Sequence, residues 1–90
     1  MQDIKELRTE IDKIDGEMIA LFEKRMDVAA KIAEYKRENG LPVLDEEREA
    51  SKLREIMYGA RPEYKNYLAA LYISIFDMSR RYQETINEAE

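Results

Sequence analysis

Arg25 is the first residue whose position asks for chemistry. Apolar residues recur at steps of three and four through the N-terminal third of the chain, and Arg25 falls between Leu21 and Val28, where that alternation calls for another leucine. A guanidinium directed at a core is costly unless it is paired. It therefore meets a carboxylate of its own protein, snorkels to water, or binds an anionic guest. Lys36 lies eleven residues further on, close to three full turns, and so shares the face of Arg25. The two Cα atoms are roughly 16 Å apart at ~1.5 Å per residue, a gap that two long side chains can close on a small ligand. The plain alternative for Lys36 is an exposed lysine whose charge suits a helix C-terminus. Ser79 interrupts a later apolar stripe, and Gln83 follows one turn on; a serine bonded back to its own helix and a solvated glutamine are the ordinary readings of that pair. Asp45, Arg48 and Glu49 cluster in a charged segment that otherwise reads as a solvated helix face, and Arg8 lies beside the first stripe as a surface arginine would.

Each of these signals is weak alone. Together they describe fixed positive charge gathered inside an acidic protein, with 15 basic against 20 acidic residues and a net charge of -5. Guanidinium forks match carboxylates because two N–H groups meet two oxygens, so a small molecule with two carboxylates is the natural occupant. The chain has no Cys and no His, which removes thiol chemistry and also the commonest neutral-pH acid/base and metal ligand. Its overall field does not attract nucleic acid or an anionic membrane surface. The opening Met1-Gln2-Asp3-Ile4-Lys5 lacks the basic and apolar regions of a signal peptide, and no apolar run is long enough to span a bilayer. A cytoplasmic enzyme or interaction domain is expected.

Three helices must position these groups. The first is predicted from about Asp3 to Asn39 on the stripe Ile4, Leu7, Ile11, Ile14, Met18, Leu21, Val28, Ile32 and Tyr35. Gly16 weakens it mildly, and Asn39-Gly40 with Pro42 close behind ends it. Gly40 to Leu44 connects to a second helix with Asp45 as N-cap and Glu46 and Glu47 in its first turn. That helix is expected to run to about Tyr58, with Ala50, Leu53 and Ile56 or Met57 inward and Gly59 as its stop. Pro62 suits the first turn of a third helix reaching about Asn87, with the stripe Tyr64, Leu68, Leu71, Ile75, Ser79, Tyr82 and Ile86. The expected fold is all-α, in a single domain of 90 residues. The first helix would be roughly 55 Å long at ~1.5 Å per residue, whereas a compact chain of this length has a radius of gyration near 12 Å. Its stripe must be covered by a second chain or a neighbouring domain, and antiparallel pairing of two first helices in a homodimer is the simplest solution.

The order and spacing of these residues resemble the all-helical chorismate mutase family. The resemblance rests on Leu7-Arg8-x-x-Ile11-Asp12-x-Ile14-Asp15, Arg25, Lys36, Pro42-Val43-x-Asp45-x-x-Arg48-Glu49 and Ser79-x-x-x-Gln83, and it covers almost the whole chain. It implies an intertwined homodimer that converts chorismate to prephenate with no cofactor and no metal. It further implies that Arg25 binds one substrate carboxylate and Arg8, reaching across from the second subunit, the other. Lys36 and Gln83 would donate to the ether oxygen, Glu49 with the backbone near Asp45 would hold the ring hydroxyl, Ser79 would help seat a carboxylate, and Arg48 would add charge and close the loop. Helix geometry supports that exchange: Arg8 and Arg25 are roughly 25 Å apart on one continuous helix at ~1.5 Å per residue, too far for one small molecule to touch both.

Two further readings stand beside this one. A lyase that eliminates pyruvate from isochorismate would use a related pocket in the same fold. A non-catalytic helical dimerisation module would explain the long stripe, but gives no reason for Arg25, Lys36 and Ser79 to converge. The family is often fused to other aromatic-biosynthesis enzymes, so the chain reads equally as free-standing or as one domain of a longer protein.

Overall fold

The computed structural model describes residues 3–88, and among them every element is helical. α1 spans Ile4–Glu38. It starts where Asp3, extended at φ -86°, accepts a hydrogen bond from the Glu6 amide at 2.9 Å, which satisfies one of the orphan donors of the first turn. It ends in a Schellman turn. The Gly40 amide returns to the Arg37 carbonyl at 3.3 Å and the Leu41 amide to the Lys36 carbonyl at 2.7 Å. This closure needs a left-handed residue, and Gly40 supplies it at φ +64°. α2 spans Glu46–Gly59, capped by Asp45, whose carboxylate accepts from the Arg48 amide at 3.0 Å. A 3-10 turn over Pro62–Tyr64 leads into α3, Lys65–Glu88.

These bounds correct the expected ones in two places. α2 continues through Gly59, so the extended Ala60 ends it and not the glycine. The helix expected from Pro62 opens as the 3-10 turn and becomes α-helical only at Lys65.

α3 is the shared neighbour, packing against α1 on one side and α2 on the other. On α1 the face that meets α3 is not the stripe read from the sequence; on α3 the expected stripe supplies Ile75 and Ser79, with Leu68 and Ile86 half-buried. On α1 the buried positions are Ala29 and Ala33, with Phe22, Met26 and Ala30 half-buried beside them; two alanines let the α3 backbone approach closely. On α3 the buried residues are Ile75, Phe76, Ser79 and Gln83, so the inward face is rotated from the expected one. Tyr64, Leu71 and Tyr82 are exposed, and so is Ala50 of α2.

The N-terminal half of α1 buries no side chain in its own chain: every described residue up to Leu21 is exposed. Its large apolar side chains, Ile4, Leu7, Ile11, Ile14, Met18 and Leu21, are 40–64 % exposed. The molecule measures 56 × 28 × 14 Å with a radius of gyration of 16.6 Å, against about 12 Å for a compact chain of this length. No helix among the described residues is long and apolar enough to cross a membrane.

Candidate functional site

Between α1, α2 and α3 lies an open-sided cavity of about 520 Å³. α1 contributes Arg25, Val28, Ala29, Ile32 and Lys36 to its wall, which is one helical face at steps of three and four. The α1–α2 connection contributes Val43 and Asp45, and the start of α2 contributes Arg48, Glu49 and Lys52. α3 closes the cavity with Phe76, Ser79, Arg80 and Gln83. Seven of the eight polar residues singled out in the sequence therefore line one space: Arg25, Lys36, Asp45, Arg48, Glu49, Ser79 and Gln83. The eighth, Arg8, does not. It lies on the overhanging half of α1, exposed, about 25 Å along the axis from Arg25 at ~1.5 Å per residue.

The electrostatics follow from the side chains' partners. Five cations, Arg25, Lys36, Arg48, Lys52 and Arg80, face two carboxylates, Asp45 and Glu49. Both carboxylates are already engaged: Asp45 caps α2, and Glu49 receives Arg80 Nη1 on both of its oxygens. Among the described residues the Arg25 guanidinium and the Arg48 side chain have neither a hydrogen bond nor an ion pair with the protein, although Arg25 is half-buried. The cavity thus has an excess of uncommitted positive charge next to the apolar surfaces of Val28, Ile32 and Phe76. Water is partly excluded there, and charge–charge attraction is stronger than at an open surface.

Lys36 is held by its own loop. Its Nζ donates to the Val43 carbonyl at 2.7 Å, which ties the connection to α1 and leaves two of the three ammonium hydrogens for a ligand. Ser79 and Gln83 are 8 % and 6 % exposed, unusual burial for polar residues. Gln83 Nε2 donates to Ser79 Oγ at 3.2 Å, and Gln83 Oε1 is buried without a partner. A half-turn of the amide exchanges the roles: the Ser79 hydroxyl then donates to Oε1 and both Nε2 hydrogens are free to donate into the cavity. Either way a neutral polar end group is committed to the interior and incompletely satisfied by the protein, which is costly without a further partner.

Arg80 and Lys52 were not singled out from the sequence. Lys52 also reaches Glu55 at 3.4 Å along its own helix. The Arg80 charge is held above its ordinary range, first by its hydrogen bond to Glu49, against an opposing cost of burial, and further by the negative charge of Glu49, Asp77 and Glu84. The signal for Arg80 was present: Phe76, Ser79, Arg80 and Gln83 are spaced i, i+3, i+4, i+7 and form one face. The predicted stripe of that helix, through Leu71, Ile75, Ser79 and Tyr82, shares only Ser79 with this face and passes Arg80 by.

Fold and cavity together define an all-helical protein with a cleft between its helices in which basic side chains outnumber acidic ones. The chain belongs to the chorismate mutase type II family, whose model matches residues 7–84. It is 41 % identical over 54 residues to the "T-protein" of Haemophilus influenzae, a stretch covering 60 % of this chain and 14 % of that protein. It is 40 % identical over 57 residues to the "Bifunctional chorismate mutase/prephenate dehydratase" of Aquifex aeolicus, covering 63 % of this chain and 16 % of the other. It is 37 % identical over 49 residues to the "Chorismate mutase" of Methanocaldococcus jannaschii, covering 54 % and 50 % respectively. The aligned stretches thus span from about a seventh to half the length of these relatives. No solved structure matches the chain significantly.

Proposed function

We propose that this chain, as one domain, catalyses the rearrangement of chorismate to prephenate, acting as a homodimer whose two sites each combine residues from both copies. The observation that carries the reading is the half-buried, unpartnered guanidinium of Arg25 lining a cavity with Lys36 and Gln83. Chorismate carries two carboxylates and an ether oxygen, and its rearrangement makes and breaks bonds within one molecule. No nucleophile, cofactor or obligatory proton transfer is needed, so the work consists of positioning and electrostatic stabilisation.

Arg25 binds one carboxylate, aided by Ser79. The second carboxylate is met by Arg8 of the other copy, because the Arg8 of the same chain is too far away. These contacts hold a flexible dianion in its folded reactive conformer. As the ether bond to the ring lengthens, negative charge grows on its oxygen. Lys36 donates to that oxygen as the charged group and Gln83, in the orientation that frees Nε2, as the neutral one. Donors fixed in advance act on the transition state more than on the ground state. Glu49 accepts from the ring hydroxyl beside the backbone near Asp45, and Arg48 at the mouth adds charge and closes the connection over the ligand.

The dimer follows from the exposed half of α1. Six large apolar side chains on one face, unpartnered in the chain, suit a second copy of the same helix running antiparallel. The test of the reaction is the loss of the chorismate diene absorbance on adding purified protein, with the product identified by NMR. Prephenate formation that the Arg25→Ala variant does not support is the expected result. Conversion of isochorismate to pyruvate with chorismate untouched would replace the mutase by the lyase, and no turnover of either would remove the catalytic reading.

A further inference from the structure

Among the described residues, Arg80 is the cation of the cavity wall that is paired with a carboxylate on another helix. Its Nη1 donates to both oxygens of Glu49 and its Nη2 lies 3.8 Å from Asp77. The bond to Glu49 joins α3 to α2 across the cavity wall, whereas the pairs Lys52–Glu55 and Asp77–Arg81 each lie within one helix. Both partners are about three-quarters buried, with side chains 28 % and 25 % exposed, so the pair is not the freely solvated kind that contributes little.

The need for such a pair comes from the rest of the wall. Glu49 is an anion in a cavity whose Arg25 and Arg48 side chains have no partner among the described residues. Arg48, which lines the same cavity, and Lys52, three residues on along the same helix, are cations of that wall. An unrestrained Glu49 carboxylate would pair with those cations, and the protein's own anion would then occupy charge meant for the guest. We infer that Arg80 is a positioning residue that sequesters the Glu49 carboxylate, keeping the ligand-binding cations vacant and leaving Glu49 with lone pairs to spare for the ring hydroxyl. Two oxygens offer about four acceptor sites, and the single Nη1 engages only part of them. The inference rests on the proposed dianion site, since without an anionic guest there is nothing for Glu49 to compete with.

The experiment compares four proteins: wild type, Arg80→Leu, Glu49→Gln, and the double variant. Chorismate turnover gives KM and kcat, calorimetric titration with prephenate gives affinity independently of turnover, and thermal unfolding confirms that each variant folds. Arg80→Leu raises KM and the prephenate Kd by about tenfold, the equivalent of one charge-assisted contact, while kcat falls by less. In the Glu49→Gln background the same Arg80→Leu change alters neither KM nor Kd by more than about twofold, because a neutral amide does not compete for the cations. Arg80→Lys, which keeps the charge, recovers most of the loss.

An equal effect of Arg80→Leu in both backgrounds would overturn the inference, making Arg80 either a direct ligand of the guest or a structural residue. So would an unchanged KM in the single variant. Wild-type protein that binds prephenate with this pattern but does not turn chorismate over would sink the proposed reaction and keep the role of Arg80. Protein that neither binds nor converts would remove both.

Discussion

Ile14→Glu should dissociate the dimer, and the size of the effect follows from the exposed face of α1. An antiparallel pair that sets Arg8 of one copy beside Arg25 of the other has its two-fold axis midway between those positions, near Gly16, so Ile14 lies in the central turns of the contact. Ile14 is 52 % exposed in the single chain. Full burial of such a side chain contributes ~1.5–3 kcal/mol, so covering the remaining half contributes ~1 kcal/mol. The six side chains Ile4, Leu7, Ile11, Ile14, Met18 and Leu21, counted in both copies, then contribute ~12 kcal/mol from this face alone. That gross gain is set against an association cost of ~4–15 kcal/mol, so the loss of a few kcal/mol decides the outcome. Ile14→Glu removes ~2 kcal/mol of apolar burial over two copies and places two carboxylates in a contact that offers them no partner. A total of ~4 kcal/mol corresponds to about a thousandfold weaker association. Sedimentation velocity near 10 µM is the assay, with the chain mass of 10.7 kDa as the reference. Wild type should sediment at twice that mass and the variant at the chain mass, with chorismate turnover lost in parallel. Ala20→Glu, the same charge change on the far side of the helix, should leave the dimer intact. Wild-type protein that is monomeric while active, or an Ile14→Glu variant that associates as tightly as wild type, would refute the pairing.

The other predictions concern the cavity and the helix ends. Lys36→Ala should lower kcat at least a hundredfold, the scale of one oxyanion-type donor, while unfolding temperature moves little; equal activity would take Lys36 out of the mechanism. Because Gln83 carries no titrating proton, wild-type turnover should be flat through neutral pH. Gln83→Glu should be active only where its carboxyl is protonated and able to donate, so its rate should rise toward acid and fall as pH increases through the carboxyl pKa. A flat profile for that variant would show that the side chain does not donate. Gly40→Ala should destabilise the fold by ~1 kcal/mol through its left-handed backbone, since an added Cβ meets nothing within 4 Å; thermal unfolding checks this.

The sequence carried the elements and most of the cavity because both rest on local rules. Asp45 caps α2 as its side chain predicts, and Gly40 closes α1 because few other residues accept its backbone angle. Arg25 and Ser79 were legible as polar interruptions of apolar stripes, and Lys36 and Gln83 as polar residues sharing their faces. What was not legible was which stripe faces the chain's own core. α1 has two apolar faces. The large residues of the obvious one, Val28, Ile32 and Tyr35 included, remain exposed, while Ala29 and Ala33 make the close contact with α3. Hydrophobic period reports that a face is apolar and does not say whether it packs within the chain or between chains. The same ambiguity rotated the reading of α3 and hid Phe76 and Arg80. Lys52 was missed for a simpler reason, as one lysine in a charged run with no interrupted pattern to mark it.

The shared site is tested most directly by mixing Arg8→Ala chains with Arg25→Ala chains, each inactive alone. In a mixed dimer one site keeps both arginines and the other loses both. Random exchange makes half the dimers mixed, so activity should return to about a quarter of wild type, as two-fold symmetry requires. Mixtures that stay inactive after exchange has been confirmed by mass spectrometry of the mixed dimer would contradict a cavity completed by the second copy.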